Sequence, residues 1–214
     1  MERVCSADDR IIAALDVDSF EKMESIVEEL GELVSFYKVG MELYYAEGSK
    51  TMEWLHEKGK QVFLDLKMYD IPNTVAHGIS AVSGLGIDLI TIHAGGGRDM
   101  MEAAVQAADE AGRNNGRRPK ILAVTVLTSF DETVWKETDY CRLSLKCSAW
   151  QNWQKSAAST VWWHRRKKRK GYGNFAEMIL KLSRRESVRP LRMLMIRNVS
   201  PRPLWRLITV RRGL

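Results

Sequence analysis

Residues 62–74 read Val-Phe-Leu-Asp-Leu-Lys-Met-Tyr-Asp-Ile-Pro-Asn-Thr. The apolar run from Gln61 to Leu66 suits a buried strand, yet it closes on three charges: Asp65, Lys67 and Asp70. Pro72 follows at once, and proline suits the first turn of a helix. A strand that turns into a helix through a charged corner is the repeating joint of a parallel βα fold. Such corners are where these folds gather their reactive groups.

The same joint recurs on both sides of this stretch. Ile11–Val17, Val34–Val39, Asp88–His93 and Ile121–Leu127 read as further strands. Between them, Phe20, Met23, Ile26, Val27 and Leu30 form one helical face, with Ser19 as N-cap and Gly31 as stop. Further helices are expected near Ser49–Lys58, from Pro72 to about Leu85, and over Asp99–Ala111. A unit repeating about every 25–30 residues implies right-handed βαβ crossovers and a parallel sheet. No Gly-x-Gly-x-x-Gly follows the first strand, so a (β/α)8 (TIM) barrel is favoured over a doubly wound nucleotide-binding sheet. Gly95-Gly96-Gly97 follows a strand, but a lone triplet fits a plain turn as well as a phosphate loop.

Polar residues collect at matching places. Asp16 closes the first strand, Lys38 the second, Asp65 and Lys67 the third and His93 the fourth, while Thr128 follows the fifth. In a barrel those ends meet on one face, where active sites form. Asp65 and Lys67 are two apart and are expected on the same side of their strand. Two readings of Asp65, Lys67 and Asp70 stay open at this level. They can form a structural salt-bridge network, or carboxylates that keep an ammonium charged so that it can supply a proton to a carbanion.

Composition bounds the alternatives. The chain has 214 residues, enough for one sizeable domain. Met1–Arg10 lacks the apolar stretch of a signal peptide, and no apolar run approaches the roughly 18–20 residues of a membrane span. Cys5, Cys141 and Cys147 have no metal-ligand spacing, and their odd number argues against a disulfide framework. A cytoplasmic protein with no membrane association is expected. The net charge of +6 conceals a division, however. Residues 1–132 carry 13 Lys and Arg against 23 Asp and Glu, whereas residues 133–214 carry 20 against 4 and hold six of the seven tryptophans.

The first part resembles the orotidine 5′-phosphate decarboxylase family in its bacterial form. Asp65-Leu-Lys-Met-Tyr-Asp-Ile-Pro-Asn-Thr74 matches the family signature, and Ala14-Leu-Asp16 and Lys38-Val-Gly-Met-Glu-Leu43 match its first two strand ends. Ile92-His-Ala94 and Val124-Thr-Val-Leu-Thr-Ser129 match the fourth and fifth, so the likeness runs from about Arg10 to Asp131. The resemblance implies conversion of orotidine monophosphate, a small nucleotide substrate, to uridine monophosphate in pyrimidine synthesis. It implies no metal and no cofactor. By the same resemblance Lys67 protonates C6 as carbon dioxide leaves, and Asp65 lies against the departing carboxylate. Asp70 would reach in from the partner of a homodimer. Asp16 and Lys38 would hold the ribose, with Ile71, Thr74 and Thr128 along the nucleotide. A related barrel enzyme acting on a sugar phosphate shares the Asp-x-Lys-x-x-Asp core and is the nearest rival.

Residues 133–214 depart from that pattern. The family's Pro-Gly-Ile-Arg-Pro loop, Asp-Gln-x-Arg segment and terminal Val-Gly-Arg, which serve the phosphate, do not occur there. The segment Trp162-Trp-His-Arg-Arg-Lys-Lys-Arg-Lys170 could be a basic nucleic-acid-binding arm on a non-catalytic protein. Reading across codon boundaries gives a better account. With permitted codons, Trp150–Arg166 becomes Ala-Lys-Leu-Ala-Lys-Glu-Cys-Gly-Ile-Asp-Gly-Val-Val-Ala-Ser-Pro, and Ser183–Val199 can yield Thr-Pro-Gly-Ile-Arg-Pro. Both resemble the family's own next motifs, in order and in one frame. The expectation is five βα units of a barrel in residues 1–132, then a tail translated out of frame, with nucleic-acid binding set aside.

Overall fold

The computed structural model describes residues 11–125, 127 and 129, together with the backbone of three further strands at 160–163, 175–180 and 191–196. Thr128 lies outside the described residues.

Five parallel strands form the frame: β1 (Ile11–Leu15), β2 (Phe36–Gly40), β3 (Gln61–Met68), β4 (Leu89–His93) and β5 (Lys120–Val124). Each pairs with its neighbour in sequence, as successive βαβ units require. β6 (Thr160–Trp163) adds to β5 in parallel, and β8 (Leu191–Ile196) adds to β1 in parallel. The α/β frame expected of the barrel therefore holds through its first five units. β7 (Phe175–Leu180) runs antiparallel to β8, unlike the parallel strand that the barrel pattern calls for. The reason is length: only residues 181–190 separate the two strands, too few for a crossover helix.

The helices form where apolar residues recur at helical spacing. In α1 (Phe20–Leu30), Met23, Val27 and Leu30 are buried. The Ser19 side chain accepts from the Lys22 amide, Glu47 accepts from the Phe20 amide at 3.0 Å, and Gly31 at φ +48 ends the helix. One helix was expected between β2 and β3, but two are found, α2 (Met41–Glu47) and α3 (Lys50–Glu57). Gly48, at φ +66, breaks them apart in a conformation that side-chain-bearing residues rarely adopt. α4 (Pro72–Ser83) starts on its proline and buries Val75, Ile79 and Val82. Against it packs α5 (Gly97–Asn115), whose Ala104, Ala107, Ala108 and Ala111 permit a close approach. Each fully buried Val or Ile on such a face contributes about 1.5–3 kcal/mol.

Residue parity divides the sheet into two faces. Ile11, Ala13, Leu15, Tyr37, Val39, Val62, Leu64, Ile90, Ile92, Ile121 and Ala123 join the helices in one apolar cluster. Ile12, Ala14, Phe36, Phe63, Leu89, Leu122 and Val124 are buried too but take no part in that cluster. They line the opposite face, as in a sheet buried on both sides.

The edge at which the strands begin is tied together for stability. Asp88 accepts from the Val62 amide at 2.8 Å and pairs with Arg117 at 2.7 Å, joining β3 to the segments before β4 and β5. The buried Lys60 ammonium donates to the carbonyls of Gly31 (2.7 Å) and Val34 (3.3 Å), fixing the exit of α1. Replacing Asp88 with Ala strands the Val62 N–H at the head of β3. We expect a loss of about 1–3 kcal/mol in urea unfolding of the full chain. Asp88→Asn, which keeps an acceptor, should recover part of it.

Candidate active site

The polar strand ends identified in the sequence that lie among the described residues follow the opposite face, and Thr91 joins them. Asp16 continues Ile12 and Ala14; Lys38 follows Phe36; Asp65 and Lys67 follow Phe63; Thr91 and His93 follow Leu89. β1 ends one residue before Asp16, so Asp16 enters from the loop rather than from the strand. It pairs with Lys38 at 2.6 Å across β1 and β2. Lys38 is 3% exposed, and this pairing satisfies a charge that burial would otherwise penalise. Its ammonium passes over Gly40, where an added Cβ would come within 3.1 Å of Nζ.

The second pair rests on a distortion of β3. Leu64 is opposite Ile90 and Met68 is opposite Ile92, so four steps along β3 match two along β4. Asp65, Leu66 and Lys67 occupy the resulting bulge, a device that re-aims side chains beside active sites. Plain alternation is therefore not what joins Asp65 to Lys67. Lys67 has φ +52, in the left-handed region, and is the non-glycine residue recorded with positive φ among the described residues. Such a conformation costs on the order of 1–3 kcal/mol and persists only where neighbours enforce it.

Those neighbours are visible. Lys67 Nζ donates to Asp65 Oδ1 at 2.9 Å. The Thr91 hydroxyl donates to the same oxygen at 2.9 Å and accepts from the Lys67 backbone N–H at 2.8 Å. Asp65 is only 5% exposed, and neither of these bonds uses its Oδ2. The arrangement presents a fixed ammonium beside a buried carboxylate at the end of a barrel-type sheet. It can repel an incoming anion through Asp65 and hold a proton at Lys67 for delivery to a carbanion.

His93 has a more ordinary task. Its Nδ1 accepts from the Gly95 amide at 3.0 Å, and its ring stacks on Tyr69 with centroids 5.3 Å apart. A Cβ at Gly95 would fall 2.9 Å from Nδ1, which accounts for the glycine there. The Gly95–Gly97 triplet thus reads as a turn fitted around His93. Burial, and then the charge of Lys67, push the His93 imidazole below its usual 6.5.

The remaining residues implied by the family resemblance stand apart. Asp70 is exposed and caps its own neighbour, accepting from the Ile71 amide at 2.7 Å. Among the described residues no ion pair joins it to Lys67. Ile71, 66% exposed, is the N-cap of α4, and Thr74 is exposed on its first turn. Thr91 and Tyr69 were missed in the sequence. Thr91 could have been found, since it is a lone hydroxyl two residues before His93 and so shares its face. Among the described residues there is no cluster of His, Cys, Asp or Glu suited to a metal ion, and no helix long and apolar enough to cross a membrane.

Comparison with known proteins places the chain in a family. The family model described as "Orotidine 5′-phosphate decarboxylase / HUMPS family" matches residues 9–178. The chain belongs to that family. It is 52% identical over 124 residues to the orotidine 5′-phosphate decarboxylase of Carboxydothermus hydrogenoformans, covering 58% of this chain and 52% of that protein. It is 48% identical over 127 residues to the Bacillus caldolyticus enzyme of the same name, covering 59% and 52%. The chain spans about half the length of these curated relatives. Among solved structures, the orotidine 5′-phosphate decarboxylase of Lactobacillus acidophilus superposes with TM-score 0.65 at 39% identity, covering 71% of this chain and 69% of that one. An uncharacterised conserved protein from Geobacillus kaustophilus gives 0.67 at 40%, covering 72% and 73%.

The depressed His93 value sets a pH signature. Above about 6.5 the imidazole is neutral in both folded and unfolded chains, and its contribution to stability is complete. As the pH falls below that, the unfolded chain takes up the proton first. Stability is then lost until the folded imidazole titrates as well. Between pH 7 and 5 the thermal midpoint should fall more steeply for the unsubstituted protein than for His93→Gln, and equal slopes would contradict the assignment.

Proposed function

We propose that this chain carries the charged half of an orotidine 5′-phosphate decarboxylase site. The observation that bears most weight is the Asp65–Lys67 pair, held in the β3 bulge at the end of the sheet where the fold collects its chemistry. In this reading Asp65 lies against the substrate carboxylate. The C6–carboxylate bond breaks, carbon dioxide leaves, and the electron pair remains on C6. Lys67 Nζ then delivers its proton to C6, giving uridine monophosphate, and recovers a proton from solvent. Rigid charges in a site of low polarity favour the carbanion-like transition state over the ground state. Asp16 and Lys38, locked to each other at 2.6 Å, are suited to the ribose hydroxyls.

The exposed Asp70, Ile71 and Thr74 are consistent with service to the site of a second copy, so a homodimer belongs to the same reading. Cytoplasmic location follows from the pathway that the family serves. Residues 133–214, read as an out-of-frame tail, would lack the phosphate grip. Remote phosphate binding supports turnover as well as affinity, so catalysis by this chain should be weak. The antiparallel β7 fits a tail that departs from the barrel pattern.

Two measurements test the proposal. Saturating uridine monophosphate at 100 times its Kd should stabilise the full chain by about 2.7 kcal/mol, while sugar phosphates should not. The reverse preference would favour the sugar-phosphate rival. Release of carbon dioxide from orotidine monophosphate should fall roughly 10²-fold or more in Lys67→Ala. Turnover by the unsubstituted chain equal to that of the full-length relatives would refute the claim of impairment.

A further inference from the structure

The hydroxyl of Thr91 is placed where one group touches both members of the charged pair. Thr91 is completely buried on β4, between Ile90 and Ile92. A buried hydroxyl costs stability unless both its donor and acceptor capacities are used. Here both are used, one on each member of the pair: the O–H donates to Asp65 Oδ1, and the oxygen accepts from the Lys67 N–H. The second bond replaces the ladder contact that the bulge removes from β3, and it holds Lys67 in its left-handed conformation. Threonine is stiff about χ1, so the position of the oxygen is set by the β4 backbone.

We propose that Thr91 is the positioning residue for the proton donor. It fixes the Asp65 carboxylate by one bond and the backbone origin of the Lys67 side chain by the other. The backbone origin of the lysine and the carboxylate on which its ammonium rests are thereby both set by the β3–β4 pairing. This inference rests on the decarboxylase reading for its catalytic meaning, but its geometric content does not.

The test uses the full chain and the variants Thr91→Val and Thr91→Ser. Val keeps the branched shape and loses the hydroxyl, whereas Ser keeps the hydroxyl. Thr91→Val should lower kcat for orotidine monophosphate roughly 10²-fold, the scale of a small misplacement of a reacting group, with KM changed far less. Thr91→Ser should restore most of the loss. Hydrogen exchange at the Lys67 amide, followed by NMR, gives a readout that needs no turnover. That amide should be protected in the unsubstituted chain and should exchange at least about tenfold faster in Thr91→Val, with Ser restoring protection. An unprotected Lys67 amide in the unsubstituted chain overturns the proposal without any variant, which covers the case in which Thr91→Val fails to fold. Equal behaviour of Val and Ser overturns it too, because packing alone would then explain the residue. If the unsubstituted chain shows no decarboxylation, the functional reading fails, and the amide result still decides the positioning role.

Discussion

A carboxylate held out of water at the end of a strand is the constraint from which the rest of this site follows. Asp65 is 5% exposed, and an isolated buried charge would be pulled back to its neutral form or would unfold its surroundings. Its Oδ1 accepts from an ammonium and a hydroxyl at once. The ammonium reaches it from the β3 bulge, where Lys67 takes a left-handed backbone and its N–H meets an acceptor on β4.

The sheet separates this work from stability. Its helix-facing side holds the continuous apolar cluster, and the edge where strands begin holds Asp88, Arg117 and Lys60 in bonds that staple loops to strand heads. The other face ends in Asp16, Lys38, Asp65, Lys67, Thr91 and His93 at the edge where strands finish. Strain is tolerated at the finishing edge because the apolar layer behind it is well packed. Val62 and Leu64, both fully buried against the helices, anchor β3 immediately before it distorts.

Much of this was legible in the sequence. The strand cores could be read from runs such as Val62–Leu64, and the strand ends from a polar residue closing each run, because burial on both faces leaves few other places for a charge. Asp16, Lys38, Asp65 and Lys67 were found that way. Gly48 as a break between two helices was passed over, since Met41–Glu47 looks like the continuation of a strand end until the chain is seen to turn. The bulge could not be read, because alternation in Asp65-Leu66-Lys67 is intact in the letters and broken only in the backbone. Thr91 escaped for a related reason: its importance lies in what β3 presents to it, and that is set by pairing across 24 residues of chain. Asp70, Ile71 and Thr74 were legible as a motif, but this single chain leaves them exposed and so gives them no local partner.

The polar bonds of the charged centre lie within one strand, as between Asp65 and Lys67, or join neighbours in sequence and space: the β1 end with β2, and β3 with β4. The Asp16–Lys38 and Asp65–Lys67–Thr91 groupings are therefore modular, each drawn from consecutive βα units. A protein built this way is divisible. The reactive portion and the portion that grips a distant anion could be supplied by separate polypeptides and rejoined along exposed strand edges.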